Sequence, residues 1–167
     1  MIKLARIVPL AMVLALCACQ QEAKAPEQAA ESGAPDAKPG LVATDGALVL
    51  PAVKGNPGVA YFTLTNQGDK PATLAGVSID GVEKAEMHAT QGGTMVPVAN
   101  VEIKPGEIVK FEQGGRHVML FGLSDKVTAG GAAEMTLTFS DGDKLSAPLM
   151  VEAMGDMAEM GDHGGMH

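Results

Sequence analysis

The sequence of 167 residues has no tryptophan, one tyrosine and four phenylalanines. With so few aromatics, the expected core is aliphatic, built from Val, Leu, Ile, Ala and Met. Basic residues are also scarce: 12 Lys and Arg against 20 Asp and Glu. Nucleic acid is therefore not an expected partner, because neutralising phosphates requires clustered Lys and Arg. An acidic surface suits cations and basic proteins instead. Cysteine occurs twice, at Cys17 and Cys19, and nowhere in the body of the chain. The folded part thus has no disulfide and no thiolate. That excludes a cysteine nucleophile and a blue-copper electron-transfer centre, which needs a Cys ligand. No Ser/His/Asp arrangement and no phosphate-cradling glycine loop is visible; Gly92-Gly93 and Gly114-Gly115 read as turns. No apolar run is long enough to cross a bilayer as a helix, which takes about 20 residues.

What is present falls into four parts. Residues 1–18 read as a secretion signal. Lys3 and Arg6 precede an apolar run from Ile7 to Leu16. Leu16-Cys17-Ala18-Cys19 resembles a bacterial lipoprotein signal, with a small residue before the cysteine. Cys19 is then the expected lipidated first residue of the mature chain. The alternative is an ordinary cleaved signal with two incidental cysteines. Gln20, rather than Asp, follows Cys19, which tilts the expectation towards the outer membrane. Residues 19–40 are rich in Ala, Glu, Gln and Pro. Such a composition cannot offset the entropy of folding, so a flexible tether is expected.

From residue 41 to about 152 the texture changes. Short apolar and β-branched runs alternate with turn signals such as Asn66-Gln67-Gly68-Asp69, Asp80-Gly81, Gly114-Gly115 and Asp141-Gly142. Strands are expected over 47–50, 58–65, 72–79, 83–89, 95–101, 107–112, 117–121, 133–140 and 144–151. No helix is convincing. The fold class is therefore all-β, an antiparallel sandwich or barrel.

Histidine and methionine carry the chemistry. In a strand, side chains alternate, so His117 and Met119 project to one face about 7 Å apart, and Val118 points into the core. An imidazole beside a thioether suits Cu(I) better than Mg²⁺ or Ca²⁺, which prefer oxygen. His88 and Met95 flank a loop containing Gly92-Gly93, and a hairpin there would bring them together. The domain would then offer two His and two Met. Met87 and Met135 alternate with these positions or with apolar ones and read as core. On pattern alone, a His-x-Met pair is more often packing or surface than a metal site. Two rivals stay open. His88 and His117 with Glu86 or Glu112 would make a zinc centre that activates water, but that leaves both methionines unexplained. A purely structural, partner-binding surface lipoprotein would make the His/Met clustering accidental.

Several segments resemble the PCuAC family of periplasmic copper chaperones. They are Tyr61-Phe62-Thr63-Leu64-Thr65-Asn66, Glu86-Met87-His88, Gly92-Gly93-Thr94-Met95 and Gly114-Gly115-Arg116-His117-Val118-Met119-Leu120-Phe121-Gly122-Leu123. Residues 96–116, 21 in all, separate Met95 from the His-x-Met pair, as in that family's signature. The interval from His88 to Met95 is shorter than the family's usual one. The resemblance implies a cupredoxin-like fold and a solvent-accessible Cu(I) site of His88, Met95, His117 and Met119. It also implies a non-enzymatic role, handing copper towards the CuA centre of a cytochrome c oxidase subunit, or general periplasmic copper handling.

Residues 150–167 contain five Met, two His, four acids and no Lys or Arg. Met150, Met154, Met157 and Met160 have helical spacing, but Gly155, Gly161, Gly164 and Gly165 disfavour a stable helix. The expected reading of residues 153–167 is a metal-collecting tail. Its donors would be Met154, Met157, Met160, His163, Met166 and His167.

Overall fold

The computed structural model describes residues 38–155, and these form ten strands with no helix. In chain order they are β1 (Leu41–Val49), β2 (Gly58–Asn66), β3 (Ala72–Ile79), β4 (Val82–Gln91), β5 (Thr94–Pro97), β6 (Val101–Ile103), β7 (Ile108–Phe111), β8 (Arg116–Leu123), β9 (Ala132–Phe139) and β10 (Lys144–Glu152). They join into one sheet in the order β5-β4-β8-β7-β2-β1-β10-β9-β3-β6, with β8 also reaching β2. The sheet curls strongly: Met87 of β4 and Ile79 and Leu74 of β3, far apart in that order, are buried in the same core cluster. This is the all-β architecture the strand pattern predicts, and it agrees with the cupredoxin-like fold the family resemblance implies.

Strand alternation builds the core. In β2 the buried positions are Gly58, Ala60, Phe62, Leu64 and Asn66; in β9 they are Ala133, Met135, Leu137 and Phe139. Met87 and Met135 are buried, as the alternation predicts. The expectation of an aliphatic core needs correction. Phe62, Phe111 and Phe139 are among the largest fully buried side chains, and Phe62 stacks on Phe111 with centroids 4.3 Å apart. Each aromatic buries more apolar surface than an aliphatic residue, so three of them suffice to sit at the centre of the core.

The antiparallel expectation holds for most neighbours, but β1 pairs parallel with β10, and β7 meets β8 in a short parallel contact. Both termini of the domain run the same way along the sheet, and the intervening eight strands serve as the crossover that a parallel pair requires. Two strand boundaries also move. The first strand begins at Leu41, not 47, because a bulge between Thr44 and Ala47 interrupts its alternation. Asp45 sits there at φ 55°, and the neighbouring Gly46 has no room for a side chain, since a Cβ would lie 2.4 Å from the Pro148 carbonyl oxygen. The run expected at 95–101 is two strands. Pro97 ends β5, and the chain then crosses to the other extremity of the sheet as β6. A proline cannot donate to a continuing ladder.

Two polar devices close the fold. Lys38 pairs with Asp141 and Asp143 and lies over the Phe139 ring, tying the entry to β1 against the β9–β10 turn. Asn66 is 2% exposed and makes three side-chain hydrogen bonds. Its amide donates to the carbonyls of Lys70 (2.8 Å) and Ile103 (3.0 Å), and its oxygen accepts from the Gly68 amide (3.0 Å). The sequence pattern offered Asn66 only as a turn residue. Asn66→Ala should destabilise the domain by about 2–4 kcal/mol, since it removes three bonds and strands buried backbone groups. Urea denaturation of the two proteins measures this.

Candidate metal site

The site grows from the register of three neighbouring strands. Between β4 and β8, His88 pairs with His117 and Glu86 with Met119. Between β4 and β5, His88 pairs with Pro97 and Thr90 with Met95. Directly paired residues point to the same side of a sheet, and alternate residues along a strand share that side. Glu86, His88, Met95, His117 and Met119 therefore lie on one face. Met87, Val118 and Leu120 occupy the other, in the core.

The β4–β5 hairpin turns on Gly92 and Gly93, at φ 58° and 81°, with Gln91 paired to Thr94. Two consecutive positive φ values suit a tight two-residue turn, and glycine adopts them without steric cost. This is the hairpin expected between His88 and Met95, with a shorter loop and longer arms. Met95 does not face His88 directly. It is the diagonal neighbour, a relation of roughly 7–8 Å that a long side chain can bridge.

The two histidines are the centre. Their ring centroids are 6.0 Å apart, with planes inclined by 35°. His117 is 6% exposed. Its Nδ1 lies 3.1 Å from the Gly115 carbonyl oxygen, which leaves Nε2 to bind a ligand. The His88 side chain is also largely covered. Its Nε2 is 3.4 Å from Glu86 Oε2, and its Nδ1 is buried with no hydrogen-bond partner. Burying an unpaired polar atom costs about 1–3 kcal/mol, so such an atom calls for a ligand. Two imidazoles that share one metal through bonds of about 2 Å hold their centroids roughly 5–6 Å apart, a range the observed pair meets.

Met119 is half-buried and Met95 is 57% exposed. The four residues are thus graded in exposure, with the histidines covered and Met95 open on the edge strand, rather than lying together on an open rim. Glu86 adds a charge beside them. Lys84 Nζ, 2.6 Å from Glu86 Oε1, and then the His88 contact hold the Glu86 carboxyl below the usual carboxylate range. Alternation already put Glu86 on the His88 side; its place opposite Met119 required the β4–β8 register. Glu112 lies on the turn beside Gly115. Among the described residues no three His, Cys, Asp or Glu side chains form a group that could hold a metal ion.

Met154 follows β10 and is 57% exposed. Met157, Met160, His163, Met166 and His167 lie outside the described residues, as do Cys19 and the whole leader. No helix among the described residues is long and apolar enough to cross a membrane.

The fold and this face of it define a PCuAC-like β-domain. The structure is similar to the copper-bound PCuAC domain from PmoF2, at 25% identity and a TM-score of 0.59, covering 68% of this chain and 93% of that one. It is also similar to CuI-DR1885 from Deinococcus radiodurans, at 27% identity and a TM-score of 0.50, over 76% of this chain and 85% of that one. A family model described as putative lipoprotein LpqE-like matches residues 41–151. The chain belongs to this LpqE-like family. One curated relative, the uncharacterized protein RP573 of Rickettsia prowazekii (strain Madrid E), is 36% identical over 86 residues. That match spans 48% of this chain and 48% of the relative.

Proposed function

We propose that this protein is an extracytoplasmic copper(I) carrier that binds one ion through His88, His117, Met119 and Met95 and hands it on. The observation that carries the reading is the cross-strand pair His88–His117, with a buried, unpartnered His88 Nδ1 and the Met119 thioether on the same face. Neutral imidazoles and thioethers are soft donors that select Cu(I) over oxygen-preferring cations. The copper-bound PCuAC domain from PmoF2 and CuI-DR1885 both hold copper, and this supports the same cargo here. Nothing in this donor set prepares a substrate for reaction, so the chemistry is capture and transfer rather than catalysis. A cytochrome c oxidase subunit with a CuA site is the receiver this reading favours. The direct test is a titration of the protein with Cu(I), Cu(II) and Zn²⁺. One tight Cu(I) equivalent in the domain and no comparably tight Zn²⁺ site is the expected result, and a Zn²⁺ preference would overturn it.

The carrier is placed at a membrane by Cys19. Diacylation there anchors a chain stably, where one acyl chain is marginal. The LpqE-like family description, a putative lipoprotein, supports this. Cys19→Ser should release the protein into the soluble periplasmic fraction, read by fractionation and blotting; unchanged membrane retention would sink the anchor.

The Met/His run after β10 serves as a collecting arm. Thioethers have no proton to lose, whereas His donors must be neutral, so tail capture persists in mild acid when imidazole ligands weaken. A short tether raises the local concentration of a captured ion to the order of mM. Deleting residues 153–167 should remove the weaker Cu(I) equivalents and slow loading of the domain while leaving its affinity unchanged. Equal stoichiometry with and without the tail would show it to be passive.

A further inference from the structure

The two paired histidines are held by unlike partners, and this decides which nitrogen of each can bind a metal. A neutral imidazole carries one N–H and one lone pair. At His117, Nδ1 faces the Gly115 carbonyl at 3.1 Å. A carbonyl only accepts, so Nδ1 holds the proton and Nε2 the lone pair. At His88 the arrangement is reversed. Nε2 faces Glu86 Oε2 at 3.4 Å, and a carboxylate likewise only accepts. Placing the proton on Nδ1 instead would bury an unpaired N–H and set the Nε2 lone pair against the carboxylate oxygen. The Nε2–H tautomer avoids both. Lys84, bound to Glu86 Oε1 at 2.6 Å, fixes the other oxygen and leaves Oε2 for the ring. Glu86 is itself registered on β4 opposite Met119, on the same face as both rings.

We propose that Glu86 is a positioning residue that holds His88 as its Nε2–H tautomer, so that copper is bound by Nδ1 of His88 and Nε2 of His117. The proposal rests on the copper-carrier reading. It gives the pair an asymmetry that equivalent histidines would lack: one donor is set by a side chain, the other by the backbone. A carboxylate behind a ligating imidazole also raises its basicity as a donor, and loss of such a partner typically costs 10–100-fold in metal affinity.

The experiment is long-range ¹H–¹⁵N NMR of the imidazole nitrogens in the ¹⁵N-labelled full chain, before and after one equivalent of Cu(I). Before copper, His88 should show a protonated Nε2 and a bare Nδ1, and His117 the opposite. On loading, the bare nitrogen of each should shift while its N–H stays. Glu86→Ala should abolish the His88 preference and lower Cu(I) affinity by roughly 10–100-fold. Glu86→Gln, whose amide oxygen still accepts from Nε2–H, should keep the tautomer and most of the affinity. A His88 proton on Nδ1 in the apo protein, a copper-induced shift at its Nε2, or full tautomer preference in Glu86→Ala would each overturn the role of Glu86. Absence of any Cu(I)-induced shift at either histidine would instead overturn the carrier reading, and the proposal with it.

Discussion

His117→Ala should lower the Cu(I) affinity of the domain by on the order of 100-fold or more. Loss of a supporting residue alone costs 10–100-fold, and this substitution removes a proposed ligand outright. A competition titration against a Cu(I) chelator of known affinity measures it. Because His117 is buried, the alanine also leaves a gap, so a second variant separates binding from folding. Met119→Leu conserves volume and costs under about 1.5 kcal/mol of stability, yet it removes the thioether. It should weaken Cu(I) strongly and leave the thermal midpoint nearly unchanged. Imidazole also binds Cu(II), so the methionine variants should harm Cu(I) more than Cu(II). Met95→Ala should have the smaller effect of the two, as it touches the site diagonally from an exposed edge. If Met95→Ala and Met119→Ala both leave Cu(I) affinity intact, the site is misassigned.

The second large effect is on stability. Phe62→Ala should destabilise the domain by about 3–5 kcal/mol, the usual result of emptying an aromatic site in a core. Phe62 is 2% exposed, stacks on Phe111, and sits on β2 beside β1, β7 and β8. Its loss opens a cavity where four strands meet and removes an aromatic pair worth about 0.5–1.5 kcal/mol beyond area burial. Chemical denaturation of the apo proteins is the measurement. A loss below about 1 kcal/mol would mean that the surrounding strands collapse into the gap, contrary to the packing described.

Much of the architecture was legible from local pattern. Period-two alternation assigned Met87 and Met135 to the core, and the structure buries both. The same rule put Val118 in the core and His117 with Met119 on the other face. Where alternation failed, the cause was local and particular. The bulge at Thr44–Ala47 breaks the period in β1, and Met95–Val101 reads as one apolar run although Pro97 ends a strand within it. The aliphatic core was inferred from a count of aromatics, and counts carry no position.

Residue types, turn signals and alternation along each strand are properties of neighbours in the chain, and they determined the all-β class and the strand face on which each His and Met of the proposed site lies. Which strands lie side by side is settled by long-range hydrogen bonding. The β4–β8 register that sets His88 against His117 and Glu86 against Met119 joins residues some thirty positions apart. A shift of one residue there would turn His117 and Met119 away from the face that carries His88. The covering of His117 rests on that register, the diagonal place of Met95 on the β4–β5 pairing, and the unpartnered Nδ1 of His88 and the contact of Glu86 with its ring on side-chain placement, so only the tertiary structure decided them.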